Sequence, residues 1–232
     1  LQRLEWYYPI LGSLGYKGFF YLSEAEREAN IWRERGYSVA IRPVNAWSTL
    51  GFLPDPVTTY MLDQKPGVLY EILFHEITHQ HVYVSGDDAF NENLAQHVGQ
   101  EAAKRYLLFL GDTIAIKAYQ THLNRQNLRQ VFMGFMVQKT KGFYAFLMGG
   151  RPHRIETEML RKKWFDFWYA QASAYPELGD MQWLKEADKV NAHLVVYQQY
   201  RQDAARFKAD LNQTHKDDLR RQIQFFIETY GR

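Results

Sequence analysis

The sequence predicts an α+β fold, a mostly helical chain with a small sheet near its N-terminus. Tyr37-Ser38-Val39-Ala40-Ile41-Arg42-Pro43-Val44 alternates apolar and polar residues, as a half-buried strand does. Most of the rest repeats apolar residues at helical spacing, punctuated by cap and turn residues. Hydrophobic residues make up 46% of the 232 and aromatic residues 16%, which supplies a packed core and argues against disorder.

The elements follow in order. Residues 1–22 are aromatic and glycine-rich and read as loop, with a short strand around Phe19 to Leu22. Ser23 is placed as the N-cap of a first helix, with Glu26 three residues on and Gly36 as its stop. The alternating stretch comes next, and Pro43 confines it to a sheet edge. Gly51, Pro54 and Pro56 make residues 45–56 a loop. A short helix over residues 57–64 is broken by Pro66-Gly67. Leu69, Ile72, Leu73 and Ile77 give residues 68–84 a helical apolar stripe, ended by the turn Ser85-Gly86-Asp87-Asp88. Asn91 is the expected N-cap of a helix from Glu92 to about Leu110. Beyond Gly111-Asp112 a long helix is expected to about Lys141. Helices over 154–175, 185–211 and 216–230 complete the chain, with Pro176 and Gly179 separating the first two. The expected organisation is one domain, with sheet and site helices over about 1–110 and a helical part over about 111–232.

Composition narrows the function. A net charge of +2 implies no broad nucleic-acid field. The runs Arg161-Lys162-Lys163 and Lys216-Asp217-Asp218 read as solvated helix faces. With no cysteine there are no disulfides, thiolate ligands or cysteine nucleophile, so any metal must be held by nitrogen and oxygen. No stretch is apolar enough for a transmembrane segment; the closest, Gln130 to Gly150, is interrupted by Gln138, Lys139 and Lys141. No signal peptide is visible, and a start at Leu1 rather than Met reads as a processed or truncated product.

The chemistry concentrates in His75-Glu76-Ile77-Thr78-His79. On a helix, its two histidines lie one turn apart on one face, the way a zinc ion takes two imidazoles. Composition alone yields roughly 0.02 such pentapeptides in a chain of this make-up. Glu76 is placed to act as general base on the attacking water. A charged Glu76 on an apolar helix would otherwise be hard to explain. A catalytic zinc usually takes three protein ligands. The extended motif with a glycine and a third histidine fails, because Val82 and Ser85 occupy those positions. Glu92, nearest the turn on the following helix, is favoured over Glu101, His81 and His97. As a helix N-terminal carboxylate it would also complement the dipole. His81 and His97 are expected off the metal, and Asp87 or Asp88 could accept the outer N–H of a ligand histidine.

These residues resemble a bacterial family of zinc aminopeptidases described from sequence. The likeness runs from about residue 9 to 211. It rests on Gly36-Tyr37 through Ala46-Trp47-Ser48-Thr49-Leu50-Gly51 with Asp55-Pro56. It rests also on Leu73 to Gln80 with Tyr83-Val84, Gly86-Asp87 and Phe90-Asn91-Glu92, and on Asn191-Ala192-His193-Leu194 with Tyr200. The resemblance implies a zincin-type fold, one zinc ion on His75, His79 and Glu92, and a catalytic Glu76 acting on a peptide substrate. It implies a bacterial source and often an export or lipoprotein signal; periplasmic, lipoprotein-anchored and cytoplasmic locations stay open. It further suggests that the strand over residues 39–44 pairs with the substrate backbone, with Ser48 and Thr49 at the cleft. One of Asn191, His193 and Tyr200 would stabilise the oxyanion, Tyr200 being the choice. A zincin-fold binding protein without turnover, and a zinc hydrolase of a non-peptide amide or ester, remain the alternatives.

Overall fold

The computed structural model describes residues 3–8, 12–42, 57–150, 153–179, 181–186, 190–199 and 204–231. The described residues are mostly helical and include a two-stranded sheet of β1 (Trp6–Tyr8) and β2 (Gly12–Leu14). The α+β class holds at that level, but the strands are not the expected ones. Residues 37–42 form no strand, and residues 19–21 lead straight into α1 (Leu22–Glu34). Alternation makes a strand only where another strand supplies the ladder. Here Tyr37 packs edge-on against Trp32 at 5.3 Å, and Ser38 Oγ accepts from the Ala192 N–H at 3.1 Å. Residues 43–56, with Ser48 and Thr49, lie outside the described residues.

Helix α1 starts one residue before Ser23 and has no side-chain cap. It ends as Gly36 allows: at φ +85° that residue donates to Arg33 O, while the Tyr37 N–H reaches Trp32 O at 3.0 Å. Helix α2 (Thr59–Leu62) is capped by Thr58. Pro66-Gly67 does end α2, yet Pro66 is also the first residue of α3 (Pro66–His81). No N–H is needed at that position, so the breaker becomes a starter. Helix α4 (Asp88–Leu110) begins earlier than expected because Asp87, not Asn91, caps it, accepting from the Phe90 N–H at 3.0 Å. Helix α5 (Thr113–Gly150) runs well past Lys141, and α6 (Arg154–Ser173) follows. Two 3-10 turns, Pro176–Leu178 and Gln182–Lys185, delay the next helix to α7 (Val190–Gln199). Helices α8 (Ala204–Gln213) and α9 (Leu219–Tyr230) complete the chain. Lys216 and Asp217 adopt positive φ, so α9 starts only after Asp218, its N-cap. Among the described residues no helix is long and apolar enough to cross a membrane.

The chain divides into two compact units, neither continuous in sequence. One comprises Leu1–Trp6, Gly15–Arg42 and Asn124–Gln199. Its core joins Met133, Met136 and Val137 of α5 to Phe165, Trp168 and Ala172 of α6, closed by Leu178, Leu184 and Leu194. Helical spacing puts each triplet on one face, and burial of each large side chain contributes about 1.5–3 kcal/mol. The Trp164 ring stacks on Phe143 at 4.6 Å and its Nε1–H donates to Thr140 Oγ1 at 3.1 Å, which sets α5 and α6 as an antiparallel hairpin.

The other unit comprises Tyr7–Leu14, Pro43–Leu123 and Tyr200–Arg232. Here α3 lies antiparallel to α4, which also packs on α8 and α9. Val82, Leu94, Val98, Phe207 and Phe226 form one cluster, and Ala103, Leu107, Ala115 and Tyr119 form another. The residues expected to carry the chemistry on α3 and α4 belong to this unit.

Candidate metal centre

Helix α3 presents His75 and His79 one turn apart, with ring centroids 4.8 Å apart and planes nearly perpendicular. The chain then turns through Gly86, whose φ of +81° suits glycine, and α4 returns carrying Glu92. The two Nε2 atoms face each other at 3.1 Å. Glu92 Oε2 lies 3.5 Å from His75 Nε2, and Oε1 lies 3.5 Å from His79 Nε2. The three side chains thus converge their ligand atoms on one point, as a metal site requires.

The spacing tests the fit. A tetrahedral ion with ligand bonds of about 2.0–2.1 Å holds its ligand atoms about 3.3 Å apart. The observed edges of 3.1, 3.5 and 3.5 Å bracket that value. Two imidazole lone pairs 3.1 Å apart repel unless a proton or a cation lies between them. Two neutral nitrogens and a carboxylate also form the donor set that a borderline cation prefers.

Electrostatics agree. Burial, followed by the neighbouring His75 charge, lowers the pKa of His79 to about 4 against the pull of Glu92. Burial works against a charged His75 as well, but the Glu92 contact and the charges of Glu92, Glu76 and Glu71 outweigh it and raise the pKa. Burial pushes Glu92 up, yet the contact with His75 and the two imidazoles hold it below the ordinary carboxylate range. Without metal, these shifts favour a proton shared between His75 and Glu92 over one on His79. A divalent cation would take the place of that proton.

A family model described as "Putative aminopeptidase" matches residues 1–230. The chain belongs to that family. No curated protein and no solved structure matches it. The family points to peptide-bond hydrolysis.

In this aminopeptidase-family chain, Glu76 follows His75 on α3, partly buried and near enough for its charge to bear on the His75 ring. His81 is exposed, with Nδ1 turned to Ile77 O at 2.9 Å. His97 is buried and donates from Nε2 to Gln222 Oε1 at 2.8 Å. Glu101 pairs with Lys104 and Lys208. Asp87 is spent on capping α4. Asn191 Oδ1 accepts from the Tyr144 O–H, and His193 packs on Trp183; both belong to the other unit. Tyr200 lies outside the described residues.

Three supports of the trio were missed by sequence reasoning. Asn91, beside Glu92, accepts from the Val84 N–H and donates to Val84 O, both at 2.8 Å. It clamps the α3–α4 turn and so fixes where Glu92 enters. Gly99 lets the helices touch: a Cβ there would lie 2.8 Å from Glu71 O and 3.3 Å from His75 Cβ. An isolated glycine inside a helical pattern was the available signal. Glu71, one turn before His75 and buried, accepts from the Tyr119 O–H at 2.7 Å and from the Gln96 and Gln100 side chains. That network ties the foot of α3 to α4 and to the start of α5.

Proposed function

We propose that the protein is a zinc-dependent peptidase, acting as an aminopeptidase, with one zinc ion held by His75, His79 and Glu92. The observation that carries this reading is the convergence of the two Nε2 atoms and the Glu92 carboxylate beside Glu76. Bound there, zinc would polarise the scissile carbonyl and lower the pKa of water toward neutrality. The chain's own part is proton handling and positioning. The Glu76 carboxylate takes a proton from the water whose oxygen bonds to the carbonyl carbon. It then delivers that proton to the amine nitrogen as the C–N bond breaks, and ends ionised again. Tyr200 is the proposed oxyanion donor.

The test is zinc content per chain, with peptide hydrolysis measured alongside. Wild type binds about one zinc, and His79→Ala and Glu92→Ala lose it. Glu76→Gln keeps zinc and loses hydrolysis. A wild type that stays metal-free after zinc is added back refutes the reading. Equal cleavage of N-blocked and free peptides refutes the aminopeptidase assignment while leaving a peptidase.

A further inference from the structure

Glu71, His75 and His79 follow one another at four-residue spacing, so they form one line along α3. Glu92, Gln96 and Gln100 form a matching line along α4. The two lines face each other across the antiparallel seam. At one end Glu92 meets both imidazoles, and at the other Gln96 and Gln100 meet Glu71. Glu71 is only 6% exposed, so the polar row runs one turn beyond the metal ligands inside the protein.

Among the described residues, every hydrogen-bond partner of the Glu71 carboxylate is a donor. Oε1 accepts from the Gln96 and Gln100 amides, and Oε2 accepts from the Tyr119 O–H at 2.7 Å. Burial, and then the Glu71 charge, hold the Tyr119 phenol far above its usual range, so it donates and does not ionise. This surrounding fits an ionised carboxylate, which only accepts. Yet among the described residues no cation pairs with Glu71, and Lys104 and Lys208 are bound to Glu101 instead. A buried carboxylate without a cation is costly. Packing alone gives no reason for it, since a neutral glutamine would fill the same space.

Charge supplies the reason. A dication held by two neutral imidazoles and the Glu92 carboxylate leaves a single positive charge, and Glu71 brings the row to neutrality. With a proton in place of the dication, the same row is left with a single negative charge. Four residues rise about 6 Å along a helix, and buried charges are weakly screened over that distance. Glu71 is near enough for its charge to bear on the His75 ring. We infer that Glu71 is a positioning residue for the metal centre, the fixed counter-charge that favours a divalent cation over a proton between the two imidazoles. This inference rests on the metal-dependent reading above and gives Glu71 no contact with substrate or metal.

The test compares wild type, Glu71→Gln and Tyr119→Phe. Zinc affinity is read by chelator competition, stability by a urea melt of the metal-free protein, and ligand geometry by the absorption spectrum of the cobalt-loaded protein. Glutamine preserves the shape: its oxygen accepts from Gln96 and Gln100 while its amide donates to the Tyr119 oxygen. Glu71→Gln should lower zinc affinity about 10–100-fold. Its metal-free melt should stay at the wild-type midpoint or rise, and its cobalt spectrum should match wild type, because the ligands do not move. Tyr119→Phe keeps the charge and removes a contact, so it should lower the melt and leave zinc affinity close to wild type. Wild-type affinity in Glu71→Gln, or an equal loss in Tyr119→Phe, overturns the inference. So does a loss of affinity that comes with an altered cobalt spectrum or a lower melt, which would make Glu71 a brace for His75 and nothing more. A wild type that takes up no zinc overturns the metal-dependent reading itself, and this inference with it.

Discussion

Gly99→Ala is the sharpest probe of how tightly α3 and α4 must approach. The added Cβ would sit 2.8 Å from Glu71 O, a backbone atom that cannot rotate away. Ordinary contact begins near 3.5 Å, so the helices must part there by about 0.7 Å. Alanine in place of a mid-helix glycine would otherwise stabilise by about 0.5–1 kcal/mol. Overpacking of this kind costs about 1–3 kcal/mol, so the metal-free variant should be less stable by about 1 kcal/mol. The shift falls beside His75, and a ligand constellation tolerates only about 0.5 Å. Metal affinity should therefore fall about 10–100-fold, a loss of the size seen when a ligand's supports are removed. Urea melts of the metal-free protein and chelator competition for zinc read the two effects. Gly134→Ala is the control: nothing lies within 4 Å of its Cβ position on α5, so it should gain the propensity term alone. If Gly99→Ala is as stabilising as Gly134→Ala and binds metal normally, the close approach is not what holds the trio.

Asn91→Ala leaves the Val84 N–H without its Asn91 partner and the Val84 C=O with the Asp87 N–H alone, and should cost about 1–3 kcal/mol, with a loss of zinc affinity that melts and chelator competition would register. Tyr119→Phe removes a donor from the buried Glu71 carboxylate and should cost about 1.5–3 kcal/mol in a urea melt. His97 gives a pH signature. Burial holds its folded pKa below the ordinary 6.5, so the unfolded chain takes up the proton first as pH falls. Its contribution is present above about pH 6.5 and is lost as pH drops below that toward the folded value. Stability should decline on acidification, and less steeply in His97→Gln; identical slopes for the two proteins would refute this assignment.

What the sequence made legible is what local geometry determines. Two histidines four apart on an apolar helical stripe must share a face, and a carboxylate just after a glycine turn returns toward them. His75, His79 and Glu92 met those conditions, and they converge. The misses have non-local causes. A strand needs a partner, and nothing in Tyr37 to Arg42 declares that Trp32 and Ala192 will claim its side chains instead. Asp87 and Asn91 are both good caps. Which of them caps α4 depends on where Val84 lies, and only the folded turn supplies that. Helix α5 outran its expected end at Lys141 because lysine is a good helix former and exposed positions accept it. The two units could not be read from composition, since each gathers separate stretches of the chain.

The structural role of α4 follows from what lies on its two sides. Toward α3 it carries Glu92, with Asn91 clamping the turn and Gly99 setting the distance. Away from α3 it carries Leu94, Val98 and His97, which meet Phe207 of α8 and Phe226 and Gln222 of α9. Gln222 is fully buried and also donates to Phe207 O and to Asp210 Oδ2, so its amide is fixed and its oxygen is left for the His97 Nε2–H. A carboxylate brought near two imidazoles loses solvation and regains it only from its partners. Glu92 can therefore be held in place only if α4 cannot roll or slide. The turn clamp resists sliding, the glycine contact fixes separation, and the His97–Gln222 bond with its aromatic neighbours resists rolling. This is why helices far from the pentapeptide in sequence, α8 and α9, belong to the same unit as the metal ligands.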